Sequence, residues 1–107
     1  MRAPGIHPEH FSRQLQSGQL SDARIIDVRE QEEWDYYHIE PAVHIPMQTI
    51  PARIAELPED KTIYVLCAHG VRSRMVCEYL LERGFENVVN VEGGIAAVAA
   101  SRGFAYD

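Results

Sequence analysis

"KTIYVLCAHGVRSRMVCEYLLERG", residues 61–84, is the stretch that decides the fold. Its opening run from Thr62 to Leu66 is apolar and β-branched without clean alternation, which predicts a strand buried on both faces, as in a parallel sheet. Cys67 stands at the carboxyl end of that strand. From about Ser73 onward Val76, Tyr79, Leu80 and with them Cys77 fall at helical spacing, and Gly84 closes the helix at Arg83. A thiol therefore sits where a strand ends and a helix begins.

Working outward, the rest of the chain repeats this alternation. Toward the N-terminus, "HPEHFSRQLQSG" has Pro8 near a helix start, Phe11 and Leu15 four apart and Gly18 as a stop, predicting a helix over about 8–17. "ARIIDV" reads as a buried strand and "REQEEWDYY" as a short helix. "AVHIP" follows as a strand ended by Pro46, and "TIPARIAELP" as another short helix with Ile50, Ile54 and Leu57 on one face. Beyond Gly84, "NVVNV" makes a strand and "GGIAAVAASRG" an alanine-rich helix. The expectation is one α/β domain over residues 1–107, a small parallel sheet of four to five strands with helices on both faces. Ligands in such sheets collect at the carboxyl ends of the strands, where Cys67 and "DVRE" at 27–30 both fall.

Composition narrows the function classes. A net charge of −6 with Lys61 as the one lysine argues against binding a nucleic-acid backbone. No apolar run approaches the roughly 20 residues of a spanning helix, and "MRAPGIHPEHF" lacks the apolar block of a secretory signal. The default expectation is a cytoplasmic protein. Cys67 and Cys77, ten apart, are expected as reduced thiols rather than a disulfide.

The segment after Cys67 carries the chemistry. A tight turn through Ala68, His69, Gly70 and Val71 lets backbone N–H groups converge on the sulfur, forming an anion-favouring nest. The helix N-terminus adds partial positive charge at the same place, which favours a thiolate nucleophile. Gly70 suits a turn that needs positive φ. Arg72 either contributes charge or fixes the loop through a carboxylate such as Asp27 or Glu30. His69 either orients a donor anion or an acceptor, or is an ordinary exposed loop histidine.

These residues resemble the active-site loop of the rhodanese domains, a sulfurtransferase family. Cys67-Ala68-His69-Gly70-Val71-Arg72-Ser73 matches its cysteine, four residues and Arg-Ser, with glycine in its usual place. Ile26-Asp27-Val28-Arg29, Glu32-Glu33-Trp34, His38-Ile39 through Ala42, His44-Ile45-Pro46, Gly84-Phe85 and Glu92-Gly93-Gly94 resemble further family segments in order, over about residues 22–100. Phosphatases of similar fold resemble a loop with five residues between cysteine and arginine; the four here imply a cradle for sulfur.

The resemblance implies a double displacement. Cys67 accepts a sulfane sulfur from a donor such as thiosulfate, the loop 68–73 stabilises the persulfide, and cyanide or a thiol removes the sulfur. It implies no metal or organic cofactor, and Asp27 and Arg29 as supports of the loop. Alternatives are a protein-to-protein sulfur carrier, a cysteine phosphatase or arsenate reductase, and a non-enzymatic interaction module. Three positions depart from the family pattern: Pro41 where glycine is common, Val98 where tryptophan is common, and Ala68, which lacks the cationic side chain of some thiosulfate-using members.

Other residues read as structure. Cys77 is expected to point into packing, His38 and His44 to serve the fold, and the spacing of His7 and His10 to be an accident rather than a zinc site. Trp34, Tyr36 and Tyr37 are expected as core or partly buried aromatics.

Overall fold

The computed structural model describes residues 3–106. Its elements run β1 (Gly5–Ile6), α1 (Pro8–Gln16), β2 (Arg24–Asp27), α2 (Gln31–Tyr36), β3 (Val43–His44), α3 (Ile50–Arg53), β4 (Ile63–Leu66), α4 (Val71–Glu82), β5 (Val88–Val91) and α5 (Gly94–Ser101). The five strands form one sheet in the order β1-β5-β4-β2-β3, with every pairing parallel. β4, which leads into Cys67, lies at its centre.

Strand periodicity sorts the apolar side chains onto two faces. On one face Ile26, Val28, Ile63, Val65 and Val88 pack with Ile50 of α3 and with Val76, Cys77 and Leu80 of α4. On the other, Ile25, Leu66 and Val91 pack with Phe11 of α1 and with Ile95 and Val98 of α5, while Trp34 of α2 and Tyr37 just after it join from the rim. Both faces of the central strand are thus covered, as its unbroken apolar character requires. Val98 is fully buried, so valine fills the position where the family pattern has tryptophan.

Helix starts follow local chemistry. Pro8 opens α1 and His7 Nδ1 accepts the Glu9 N–H at 3.3 Å. His10 bonds Gln14 at 3.0 Å, so both N-terminal histidines serve α1. At α2 the Glu33 carboxylate accepts the Glu30 N–H at 2.9 Å, satisfying a donor at the helix entry.

Three expectations need correction. β1 was not anticipated, because two residues are too few to show a period; the N–H of Asn90 bonds Pro4 O at 2.9 Å and fixes it as an edge strand. α4 begins at Val71, two residues before Ser73, because Gly70 at φ 96° turns the chain straight into the helix. Tyr36 is 65% exposed rather than core, since it closes the short α2 on the side away from the sheet and meets Tyr106 edge-on.

Candidate active site

Cys67 follows β4 directly and is 1% exposed. Loop groups reach its sulfur. The Gly70 N–H points at Sγ from 3.0 Å, and Ser73 Oγ lies 3.3 Å away. Gly70 makes this possible: its left-handed backbone reverses the chain so that the amide faces back toward the strand end. α4 then starts one residue on, with its N-terminal end beside the sulfur.

The carbonyls of the same loop are held by the other helix. Ile95 and Ala96, in the first turn of α5, donate their N–H groups to Cys67 O at 2.8 Å and Ala68 O at 3.0 Å. These are donors that a helix N-terminus otherwise leaves unpaired. Ala68 is buried and its carbonyl is committed to α5, whereas His69 is exposed. Val71 and Met75, 57% and 54% exposed, stand on the outer side of α4.

The partner of Arg72 is neither Asp27 nor Glu30 but Glu33 on α2. Both guanidinium nitrogens meet both carboxylate oxygens at 2.9 Å, the bidentate geometry that favours arginine over lysine. The hydrogen bonds from Arg72 hold the Glu33 carboxyl down at about 2 against burial, which pushes the other way. The same contact raises the Arg72 guanidinium. Glu33 thus joins the entry of α2 to the start of α4.

Because Glu33 binds its proton less readily when folded, unfolding takes up a proton between pH about 4.5 and about 2. The stabilisation is complete above that window and is lost as pH falls through it. Glu33→Gln is therefore expected to sit about 1–2 kcal/mol below the native protein near neutrality, after allowance for solvent screening. Urea unfolding should show the two converging as pH approaches 2. A gap that stays constant with pH would show that the pair does not act through this charge.

Asp27 and Arg29 form a second ion pair at 2.7 Å with both side chains fully buried. Burial alone would pull the Arg29 guanidinium down, but hydrogen bonds and charge from Asp27 outweigh it and raise it. Arg29 also donates to Glu33 O at 3.1 Å, Tyr37 O at 2.6 Å and Tyr106 Oη at 2.8 Å. It therefore ties the end of β2 to both ends of α2, and through Glu33 the support reaches Arg72 and the loop. His44 Nε2 bonds Arg29 O at 2.7 Å, and the Trp34 ring stacks between His38 at 3.8 Å and His44 at 4.9 Å. His38 and His44 serve the scaffold of the site.

Cys77 is fully buried, and its burial, with Glu78 nearby, pushes the thiol up to about 12. It is inert as a nucleophile near neutral pH. Among the described residues no cluster of three or more His, Cys, Asp or Glu is arranged to hold a metal ion. No helix of the described residues is long and apolar enough to cross a membrane.

Two site residues escaped sequence reasoning. Glu33 reads only as part of an acidic-aromatic segment, and at 39 residues before Arg72 nothing along the chain singles it out over Glu30 as the partner. Along the chain Asn90 reads only as part of a strand. Buried in β5, it accepts the Ser73 hydroxyl proton at Oδ1 and donates from Nδ2 to Gly70 O at 3.2 Å. A lone amide in a buried apolar strand was the available signal, since such a group must find partners.

Known proteins resemble this chain over most of its length. A sulfurtransferase of Allochromatium vinosum is 35% identical over 88% of this chain and 86% of its own length. A putative sulfur carrier protein of Bacillus subtilis is 38% identical over 86% of this chain, which spans 49% of that protein. A thiosulfate sulfurtransferase of Vibrio cholerae is 31% identical over 70% of this chain and 71% of its own length. The crystal structure of a rhodanese-like domain protein from Staphylococcus aureus superposes with a TM-score of 0.76 at 37% identity, covering 89% of this chain and 90% of that one. The family model for the rhodanese-like domain matches residues 7–101, and the chain belongs to that family.

Proposed function

We propose that this protein transfers sulfane sulfur by double displacement at Cys67. The observation that carries the reading is the Gly70 N–H aimed at Cys67 Sγ from 3.0 Å where α4 begins, a cradle for negative charge on sulfur. The Cys67 thiolate attacks the outer sulfur of a donor such as thiosulfate. A new S–S bond forms to Cys67, the old S–S bond of the donor breaks, and sulfite leaves with its electron pair. Cyanide or a thiolate then attacks the bound sulfane sulfur, and the Cys67 thiolate departs to complete the cycle. Two easier displacements replace one hard one.

In this reading Ala68, His69, Gly70, Val71, Arg72 and Ser73 surround the transferred sulfur. Arg72 braces the loop through Glu33, and Asp27 and Arg29 brace α2. The cycle calls for no metal or organic cofactor, since the cysteine itself carries the sulfur, and a reducing cytoplasm suits such a thiol. Ala68 adds no charge with which to attract a small dianion. That favours, as a second reading, a carrier that passes sulfur between proteins, in keeping with the relative named as a sulfur carrier.

Thiocyanate formation from thiosulfate and cyanide is the test. Cys67→Ser is expected to lower turnover by at least about a thousandfold, as removal of a nucleophile does. Turnover that survives in the variant would overturn the reading. A persulfide that cyanide discharges slowly but a protein thiol discharges fast would select the carrier. Phosphate release from an aryl phosphate, lost in Cys67→Ser, would select a phosphatase instead.

A further inference from the structure

The hydrogen bonds behind the loop have only one consistent direction. Gly70 O can only accept, so the Asn90 group 3.2 Å from it is the amide nitrogen Nδ2. Oδ1 then faces Ser73, and because an amide oxygen only accepts, the Ser73 hydroxyl gives its single proton to Asn90. Ser73 Oγ still lies 3.3 Å from Cys67 Sγ. With its proton engaged elsewhere, it turns a lone pair toward the sulfur. That lone pair can accept from a thiol S–H but gives nothing to a thiolate.

We propose that Asn90 is a positioning residue that holds the Ser73 hydroxyl away from Cys67, so that Ser73 can donate to the anionic sulfur only after releasing Asn90. The inference deepens the proposed function, since it rests on Cys67 as the reacting group. It makes Asn90 a restraint on the resting nucleophile: the Gly70 amide favours the anion, while the Ser73 hydroxyl withholds its help. Asn90 joins both halves of this arrangement, because one carboxamide holds the Gly70 turn and the Ser73 hydroxyl together. Its position in β5 is rigid, paired to Gly5 on one side and Val65 on the other.

Charged and titratable groups face the sulfur from neighbouring elements as well. On α4, Arg72 and Cys77 are coupled electrostatically to Cys67. On α2, Glu33 pairs with Arg72, and Glu30 at the helix entry also acts on Arg72. His69 belongs to the loop itself. Asn90→Ala also releases Gly70 O, so its comparison with the double variant, which lacks the same bond, is what isolates the Ser73 hydroxyl.

The experiment is the pH profile of iodoacetamide alkylation at Cys67, located by peptide mass, in the native protein, Asn90→Ala, Ser73→Ala and the double variant. Asn90→Ala frees the hydroxyl to turn to the sulfur, and alkylation near neutral pH is expected to rise about tenfold, the effect of one hydrogen bond to a charged group. Its profile should move to lower pH. Ser73→Ala alone should alkylate at or above the native rate, and in the double variant the tenfold gain should vanish.

A Ser73→Ala protein that alkylates about tenfold more slowly than native would overturn the proposal, because the hydroxyl would already be donating to the sulfur. So would an unchanged rate in Asn90→Ala, or a gain that persists in the double variant. Thermal melting checks folding, and if Asn90→Ala does not fold, the Ser73→Ala profile decides alone. Alkylation needs no sulfur donor. A protein that takes no sulfur from thiosulfate thus overturns transfer from that donor while leaving this result to stand or fall by itself.

Discussion

Arg29→Met is expected to destabilise the protein by about 3–5 kcal/mol, measured by urea unfolding, the cost of leaving a buried charge without its partner. Asp27 and Arg29 are both fully buried, and Arg29 Nη2 meets Asp27 Oδ2 at 2.7 Å while Nε meets Oδ1 at 2.9 Å. Methionine keeps much of the volume but removes all of these donors. The carbonyls of Glu33 and Tyr37 and the Tyr106 hydroxyl lose theirs as well. The loss should spread to the site, because Arg29 anchors the helix that carries Glu33. Asp27→Leu combined with Arg29→Met should be less damaging than Arg29→Met alone, since removing both charges leaves none unpaired. A single-variant loss below about 1 kcal/mol would mean that the pair is solvated rather than buried.

Gly94→Ala is expected to impair sulfur transfer more than any change outside the Cys67 loop. Gly94 has φ +63°, where an L side chain is strained by about 1–2 kcal/mol. Its added Cβ would also meet Cys67 O and, at 2.6 Å, Ala68 O. Those carbonyls are backbone of the nucleophile and of the residue after it, and cannot swing aside. Either the loop or the first turn of α5 must shift, breaking the bonds from Ile95 and Ala96 and moving the sulfur. A displacement of that kind can cost about a hundredfold in rate. Gly84→Ala supplies the control: φ is +97° but nothing lies within 4 Å of the added carbon. It should lose stability from backbone strain alone and keep its transfer rate, measured beside Gly94→Ala in the same thiocyanate assay. Equal rates in the two variants would mean that α5 does not position the loop.

Much of this arrangement is legible along the chain, and the reason is local. "KTIYVLCAHGVRSRMV" joins a doubly buried strand to an amphipathic helix through a turn that Gly70 permits, and each of those signals is carried by neighbouring residues. The parallel sheet follows from the alternation of such units. What escaped depends on contacts distant in sequence. The sequence offers Asp27 or Glu30 as the carboxylate for Arg72, and only the fold presents Glu33 in their place. Asp27 was already committed to Arg29 inside the core. β1 has two residues and no period of its own, being held by β5. Asn90 left a trace, an amide among valines, yet its two partners sit 20 and 17 residues away across the loop. The aromatic cluster shows the limit from the other side: Tyr37 stacks on Phe104 at 4.6 Å while Tyr36 faces solvent, a division that residue type alone does not make.

Sulfur carried on Cys67 is directly visible in the intact mass under non-reducing conditions. After incubation with thiosulfate and removal of excess donor, the native protein should gain the mass of one sulfur atom, lose it on addition of cyanide, and show no gain as Cys67→Ser. Cys77→Ala should gain sulfur like the native protein, because that thiol is closed into the core. A native protein that gains nothing, or a Cys67→Ser protein that gains as much, would contradict the account.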